Sequence, residues 1–268
     1  MKSILLYAND DSGFEERLSI AVQAASGFAA HLSCLQVTPF DAFIMAEPFG
    51  GMYALATVVE QLREKEQAHR TAVEARLKSA EVDWDWQHYE GQPANMIVQC
   101  ARLADLVILS LPNRQDAVHF LALTADVALH ARTPVLAVPE RHPRLELAGP
   151  AVVAWNGSSE SAHALRSSLP MLRKASSVHI ISVSGDHSDL SGGDATAYLA
   201  RHGITAKSRE LPRAGHSVAD VLLEAASALN AQYLVAGAYG HTRIREAILG
   251  GATRDLLTRI KLPLLLAH

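Results

Sequence analysis

Continuous apolar runs alternate with helical stripes along the whole chain. In the first half the pattern predicts strand 3–9, helix 15–30, strand 32–38, helix 52–80, strand 84–89, helix 93–103, strand 105–111, helix 117–131 and strand 134–138. Runs such as LVILSL and YLVAGA show no polar alternation, as expected of strands in a parallel sheet covered on both faces. In the helix from residue 52, Leu55, Val58, Val59 and Leu62 keep one face, and Ala72, Val73 and Leu77 resume it beyond the charged Glu64, Lys65 and Glu66. The acidic segment WDW, Trp84–Trp86, alternates as an edge strand does.

This order occurs twice. SILLYANDDS near the start and AVVAWNGSSES from Ala151 are apolar strands that end in a small polar turn and run into a helix. EGQPANMIVQCARLADLVILSLP and AGHSVADVLLEAASALNAQYLVAGAYG share a glycine, an amphipathic helix and a buried strand. RTPVLAVPE and KLPLLLAH close each half with a proline before a short apolar strand. Between the halves, ERHPRLELAGP is charged and proline-bearing, and it predicts a linker with the boundary near Arg144, giving domains 1–143 and 144–268. The fold class is therefore α/β, with two tandem doubly wound five-stranded parallel-sheet domains. The halves diverge between Val183 and Arg209. There SGDHSDLSGGDATAYLARHGI replaces the long helix and is expected to be a surface loop, a candidate lid, ahead of a short helical piece.

Composition agrees with this picture and narrows the function. At 268 residues, 49% hydrophobic and 19% charged, the chain is that of a soluble globular protein with room for two cores. A net charge of −4 offers no field for nucleic acid or anionic lipid. The only cysteines, Cys34 and Cys100, form no CxxC, which argues against a disulfide framework or a cysteine zinc site and suits a reducing cytoplasm. The first apolar run is too short for a signal segment, and no window approaches the roughly 20 apolar residues of a membrane span. A cytosolic setting is the expectation.

Most nucleotide and catalytic signatures are missing. There is no GxxxxGK[ST], no GxGxxG after the first strand of either half and no GxSxG elbow. Ser191-Gly192-Gly193-Asp194 follows a polar loop, not a strand, and is set aside as a phosphate loop. The 13 histidines form neither HxH nor HExxH, so no metal site is expected. No Ser, His and Asp arrangement supports nucleophilic catalysis, and no enzyme activity is expected beyond slow ATP hydrolysis or adenylyl chemistry with Mg²⁺.

What remains is Gly237-Ala-Tyr-Gly240, nine residues, then Gly250-Gly251. Gly237 and Gly240 would let the backbone turn sharply after strand YLVA. Gly250 and Gly251 would open the next helix, whose free N–H groups and positive end then face the same crevice. Here the sequence resembles the universal stress proteins in their tandem two-domain form. Nucleotide-binding members carry G-x2-G-x9-G-[S/T] after the fourth strand, and this chain matches at Gly237, Gly240 and Gly250 but has Gly251 at the hydroxyl position. The family's D-x-S turn after the first strand is matched by Asn156-Gly157-Ser158 and, in the first half, by Asp10-Asp11-Ser12.

The resemblance implies strand order 3-2-1-4-5 in each half and a pseudo-two-fold pair. It places the adenine of ATP, ADP or AMP near Asn156, Gly157, Ser158 and Val183. The phosphates, with Mg²⁺ as companion ion, would lie over Gly237, Gly240, His241, Arg243, Gly250, Gly251, Ala252 and Thr253. Gly251 removes one side-chain donor, which Thr253 is positioned to replace; Asn156 keeps an acceptor but no charge. Trp155 is open to stacking on a base or to packing in the core, and Ser158 and Ser159 suit a helix N-cap. In the first half Pro112-Asn113-Arg114-Gln115-Asp116 follows LVILSL, and no glycine occurs between Gly91 and Gly149. That half is expected to bind no nucleotide in this mode. The implied function is nucleotide-dependent stress response or sensing. The alternative is a structural stress protein acting through protein contacts, with LPLLLAH as the edge of a homodimer.

Overall fold

The structure is a computed structural model that describes residues 1–39, 51–111, 117–141, 144–184, 190–238 and 251–268, with backbone alone for 51–58 and 117–120. The first half runs β1 (Ser3–Tyr7), α1 (Phe14–Phe28), β2 (His31–Thr38), α2 (Gly51–Ser79), β3 (Trp84–Glu90), α3 (Pro93–Cys100), β4 (Leu106–Ser110), α4 (Ala117–His130) and β5 (Val135–Val138). The second runs β6 (Ala151–Ala154), α5 (Ser159–Leu172), β7 (Val178–Val183), α6 (Gly192–Arg201), β8 (Ala206–Leu211), α7 (Val218–Ala228), β9 (Tyr233–Gly237), α8 (Gly251–Arg259) and β10 (Leu264–Ala267).

The ten strands of the described residues form one sheet, in the order β3-β2-β1-β4-β5-β10-β9-β6-β7-β8. Each half therefore has the order 3-2-1-4-5 with parallel neighbours, and the halves join where β10 pairs antiparallel with β5, Leu265 opposite Leu136. β10 is thus an inner strand, bonded to β5 on one side and β9 on the other, and offers no edge to a second chain. That corrects the expectation for LPLLLAH. The ends of the sheet are β3, as the WDW alternation predicts, and β8.

Alternate residues of each strand enter two cores. Ile4 and Leu6 of β1 join Leu18, Val73, Leu77, Val153, Leu165 and Leu199 on one face, while Leu5 and Tyr7 join Val37, Val107, Leu222, Leu257 and Leu266 on the other. Burial on both faces is why the strands lack polar alternation. Along α2, Val73 and Leu77 are buried but Ala72 is exposed; the inward stripe continues through His69 and Glu66, which are polar. Leu55 and Val58 lie outside the described side chains.

The segment after β7 departs from expectation. Ser191 caps α6 by accepting from the Asp194 N–H, and the Asp194 carboxylate accepts from the Ser191 N–H, so the SGGD segment is a capping box. Ala195 and Leu199 are buried, and a Cβ on Gly192 would fall 2.1 Å from Ser208 Oγ. α6 is the short helical piece that the sequence expects, begun earlier by its polar capping residues and packed where a surface loop was expected; the rest of the candidate lid, 185–189, lies outside the described residues.

Among the described residues the Tyr233 hydroxyl is the buried side-chain oxygen without a hydrogen-bond partner. An unmade buried hydrogen bond carries a desolvation cost of about 1–3 kcal/mol. Tyr233→Phe is therefore expected to stabilise the chain by about 1 kcal/mol in urea unfolding; a loss of similar size would show that the hydroxyl has a partner. Burial also pushes the Cys34 thiol up to about 12, with Asp85 adding to the effect, which keeps it in the protonated form near neutral pH. No helix among the described residues is long and apolar enough to cross a membrane.

Candidate functional site

The carboxyl ends of β7, β6 and β9 lie side by side, where strand order reverses, and this is where open α/β sheets bind ligands. β6 is followed by Asn156-Gly157-Ser158. Gly157 has φ of 70°, a left-handed conformation that suits glycine. Asn156 Oδ1 accepts from the Ser158 N–H at 3.2 Å, and Ser158 Oγ accepts from the Ser161 N–H as the N-cap of α5. Ser158 is thus the cap that the sequence predicts. Trp155 is buried in the core and its Nε1 donates to the Leu190 carbonyl at 3.1 Å, so the packing alternative holds and the indole fixes the chain entering α6.

Strand pairing sets the correspondence between the halves. Leu106 pairs with Ile4, and Tyr233 with Ala151; the Ala8 N–H donates to Leu35 and the Trp155 N–H to Ile181. Trp155 therefore matches Ala8, and Asn156 matches Asn9. The first-half counterpart of Asn156-Gly157-Ser158 is Asn9-Asp10-Asp11, one residue earlier than Asp10-Asp11-Ser12. Spacing alone could not fix this, because Asp10-Asp11-Ser12 fits the D-x-S pattern by residue type, whereas the side chain that holds the first position is the amide Asn9.

At these matched positions the halves differ. Asn9 Oδ1 accepts from the Val37 N–H at 2.8 Å and its Nδ2 donates to the Val37 carbonyl at 2.6 Å. Val183 is the counterpart of Val37. Its peptide groups point to the β6 side, as those of Ile181 do, but Asn156 is turned to Ser158 and no described residue bonds the Val183 N–H or carbonyl on that side. Val183 thus presents one donor and one acceptor at the crevice.

Gly237 has a different role from the expected turn. It is the last residue of β9, its φ is not positive, and a Cβ there would lie 2.6 Å from the Ser161 nitrogen and 2.7 Å from the Glu160 carbonyl carbon. Glycine is needed because the first turn of α5 rests on the strand end. Gly251 is the first described residue of α8, and a Cβ there would meet no described atom within 4 Å. Ala252 is exposed beside it and Thr253 is buried in the first turn. The far end of α8 is tied to α7 by Arg259, which donates to Asp220. Hydrogen bonds from the Ser217 hydroxyl, Arg259 and the Ser217 N–H bring the Asp220 carboxyl down to about 2, so the tie stays ionised at neutral pH. Gly240, His241, Arg243 and Gly250 lie outside the described residues, as do Pro112 to Asp116.

One charge sits at the mouth. Burial acts to raise the Glu160 carboxyl, but its own N–H, the Ser158 and Ser159 hydroxyls and nearby His268 outweigh that and hold it below the ordinary carboxylate value. No group of three or more His, Cys, Asp or Glu among the described residues could hold a metal ion.

The sequence reading missed Arg17. It lies on the buried face of α1, wholly shielded from solvent, and donates from Nε to the Tyr7 carbonyl, from Nη1 to Asp11 and Ser110, and from Nη2 to Asp11 and the Asn9 carbonyl. Every N–H of the guanidinium is engaged. The signal was available: an arginine three residues after Phe14 falls on the apolar stripe of the helix.

No protein-family model matches the sequence, and no curated protein matches it. Solved structures do. A universal stress protein of Archaeoglobus fulgidus superposes with a TM-score of 0.77 at 14% identity, covering 99% of this chain and 96% of that one. A functionally unknown protein of Pseudomonas aeruginosa PAO1 matches at a TM-score of 0.58 and 18% identity, covering 100% of this chain and 92% of that one. The chain has the universal stress protein fold, in two tandem copies. At these identities the fold is what is shared.

Proposed function

We propose that the second half binds an adenine nucleotide across the carboxyl ends of β6, β7 and β9, and that the protein acts as a nucleotide-dependent stress-response factor, not as a fast enzyme. The observation that carries this reading is the Val183 peptide edge, whose counterpart in the first half is closed by Asn9 and which here has no described partner. A donor beside an acceptor suits the amidine edge of adenine. Gly251 adds the first described turn of α8, where no described atom crowds the backbone and N–H groups at a helix start favour a phosphate. Mg²⁺ would be carried by the phosphates, since the described residues form no acidic cage. The alternative of a purely structural protein loses its proposed edge, because β10 is paired on both sides.

Calorimetric titration with ATP, ADP and AMP tests the reading, and a folded protein that gives no binding at millimolar ligand overturns it. The free space at Gly251 supports a sharper test. A serine there restores one hydroxyl donor without a clash with any described atom, and a hydrogen bond to a charged group contributes about 1.5–3 kcal/mol. Gly251→Ser is expected to tighten nucleotide binding about tenfold, and an unchanged affinity would place the phosphates elsewhere.

A further inference from the structure

The first half holds the same backbone edge as the second, and its own side chains sit on it. Asn9 lends the Val37 peptide an acceptor at 2.8 Å and a donor at 2.6 Å. These are the complements that a planar base would offer. A second planar group lies beside it: His69 of α2 donates from Nε2 to the Ala8 carbonyl at 2.9 Å, with its ring 4.5 Å from Phe14 and 6.4 Å from Trp86. Asp10 faces the other side of this imidazole and is bridged to Lys65 at 3.2 Å, and Arg70 lies over Trp86.

Asn9 is free to do this because Asp11 has taken over the turn. Asp11 Oδ1 accepts from the Gly13 N–H, and Arg17 holds both Asp11 and the Asn9 carbonyl. In the second half Ser158 occupies the Asp11 position and caps α5, so Asn156 is needed for the turn and leaves Val183 alone. One residue type thus makes two sets of bonds, decided by whether its neighbour two residues on is an aspartate or a serine.

We propose that Asn9, seconded by His69, is a built-in ligand: the first half keeps a base-reading edge and occupies it with its own carboxamide, beside which the imidazole holds the Ala8 carbonyl. The chain then takes one planar base, at Val183. Removing both side chains opens a second site, at Val37, for a heterocycle carrying an acceptor next to a donor. The single-site count rests on the reading of Val183 above; the occupancy of Val37 does not.

Adenosine is the probe, because it carries the base without phosphates, and the backbone amide signals of Val37 and Val183 in the full chain report the two edges separately. In the unchanged protein adenosine is expected to shift Val183 and leave Val37 still. In Asn9→Ala/His69→Ala it is expected to shift both, with calorimetric stoichiometry rising from one to two. A Val37 signal that moves in the unchanged protein overturns the inference, as does one that stays still in the double variant. If Val183 is silent in both proteins the nucleotide reading fails, while the Val37 response of the double variant still decides this one. Should the double variant not fold, amide exchange in Asn9→Ala alone decides. Loss of the Asn9 acceptor is expected to speed Val37 exchange about tenfold, and unchanged protection at Val37 would refute the built-in ligand.

Discussion

Asp11→Ala is expected to cost the fold about 3–5 kcal/mol, the range for a buried ion pair that loses one partner. Arg17 is fully buried and Asp11 lies 2.7 Å from it, so removal of the carboxylate leaves a guanidinium in the core between Tyr7, Phe14 and Ser110 with no counter-charge. Urea unfolding measures the loss directly. The companion variant separates pair from charge: Arg17→Met in the Asp11→Ala background removes the orphan cation and is expected to recover most of the stability. The second half supports this, because its residue at the Arg17 position is Ala164, buried in an ordinary apolar core. The fold therefore does not need the arginine; only an unpaired one is costly. A double variant no more stable than Asp11→Ala would mean that the hydrogen bonds to Tyr7 and Asn9, not the charge, hold this corner together.

That corner also shows what a single sequence can and cannot reveal. Strands buried on both faces are unbroken apolar runs, so β1, β4, β5, β9 and β10 were legible, and two passes of the same order gave the tandem fold. Each failure has a local cause. The start and packing of α6 were hidden because Ser191, Gly192, Gly193 and Asp194 have loop composition, though they cap a helix and fit against Ser208. The first-half turn lies one residue earlier than its D-x-S pattern suggests, because Asp10-Asp11-Ser12 fits by residue type and only strand pairing shows that Asn9 holds the first position. The difference between Asn9 and Asn156 was invisible, since identical side chains choose partners according to neighbours that are distant in sequence, Val37 in one case, and close in the other, Ser158. At the candidate site, Asn156, Val183, Gly237 and Gly251 are legible as candidates in the sequence, but Gly237 is a glycine for a different physical reason from the turn its sequence suggests.

The reason matters because it changes what a substitution does. If Gly237 only permitted a turn, alanine would act through backbone freedom. Instead its missing side chain is the space into which Ser161 and Glu160 settle, and the nearest atoms are backbone, which cannot rotate away. Gly237→Ala is therefore expected to destabilise the chain by about 1–3 kcal/mol, the usual cost of overpacking. On the nucleotide reading proposed above it should also weaken binding, by lifting the α5 start that carries Ser158. The first half solves the same contact in reverse: Ser110 stands at the strand end, and the glycine is Gly13 on the helix side, where a Cβ would come 2.5 Å from Ser110 Oγ. Transplanting that solution, Gly237→Ser with Glu160→Gly, is expected to be more stable than Gly237→Ser alone, since the glycine frees the helix start to move off the new side chain. Guanidinium unfolding of the three proteins reads both points. If Gly237→Ala unfolds within about 0.5 kcal/mol of the parent, the range of an inert surface change, the strand end does not bear on α5. The glycine would then return to being the turn residue that its sequence suggests.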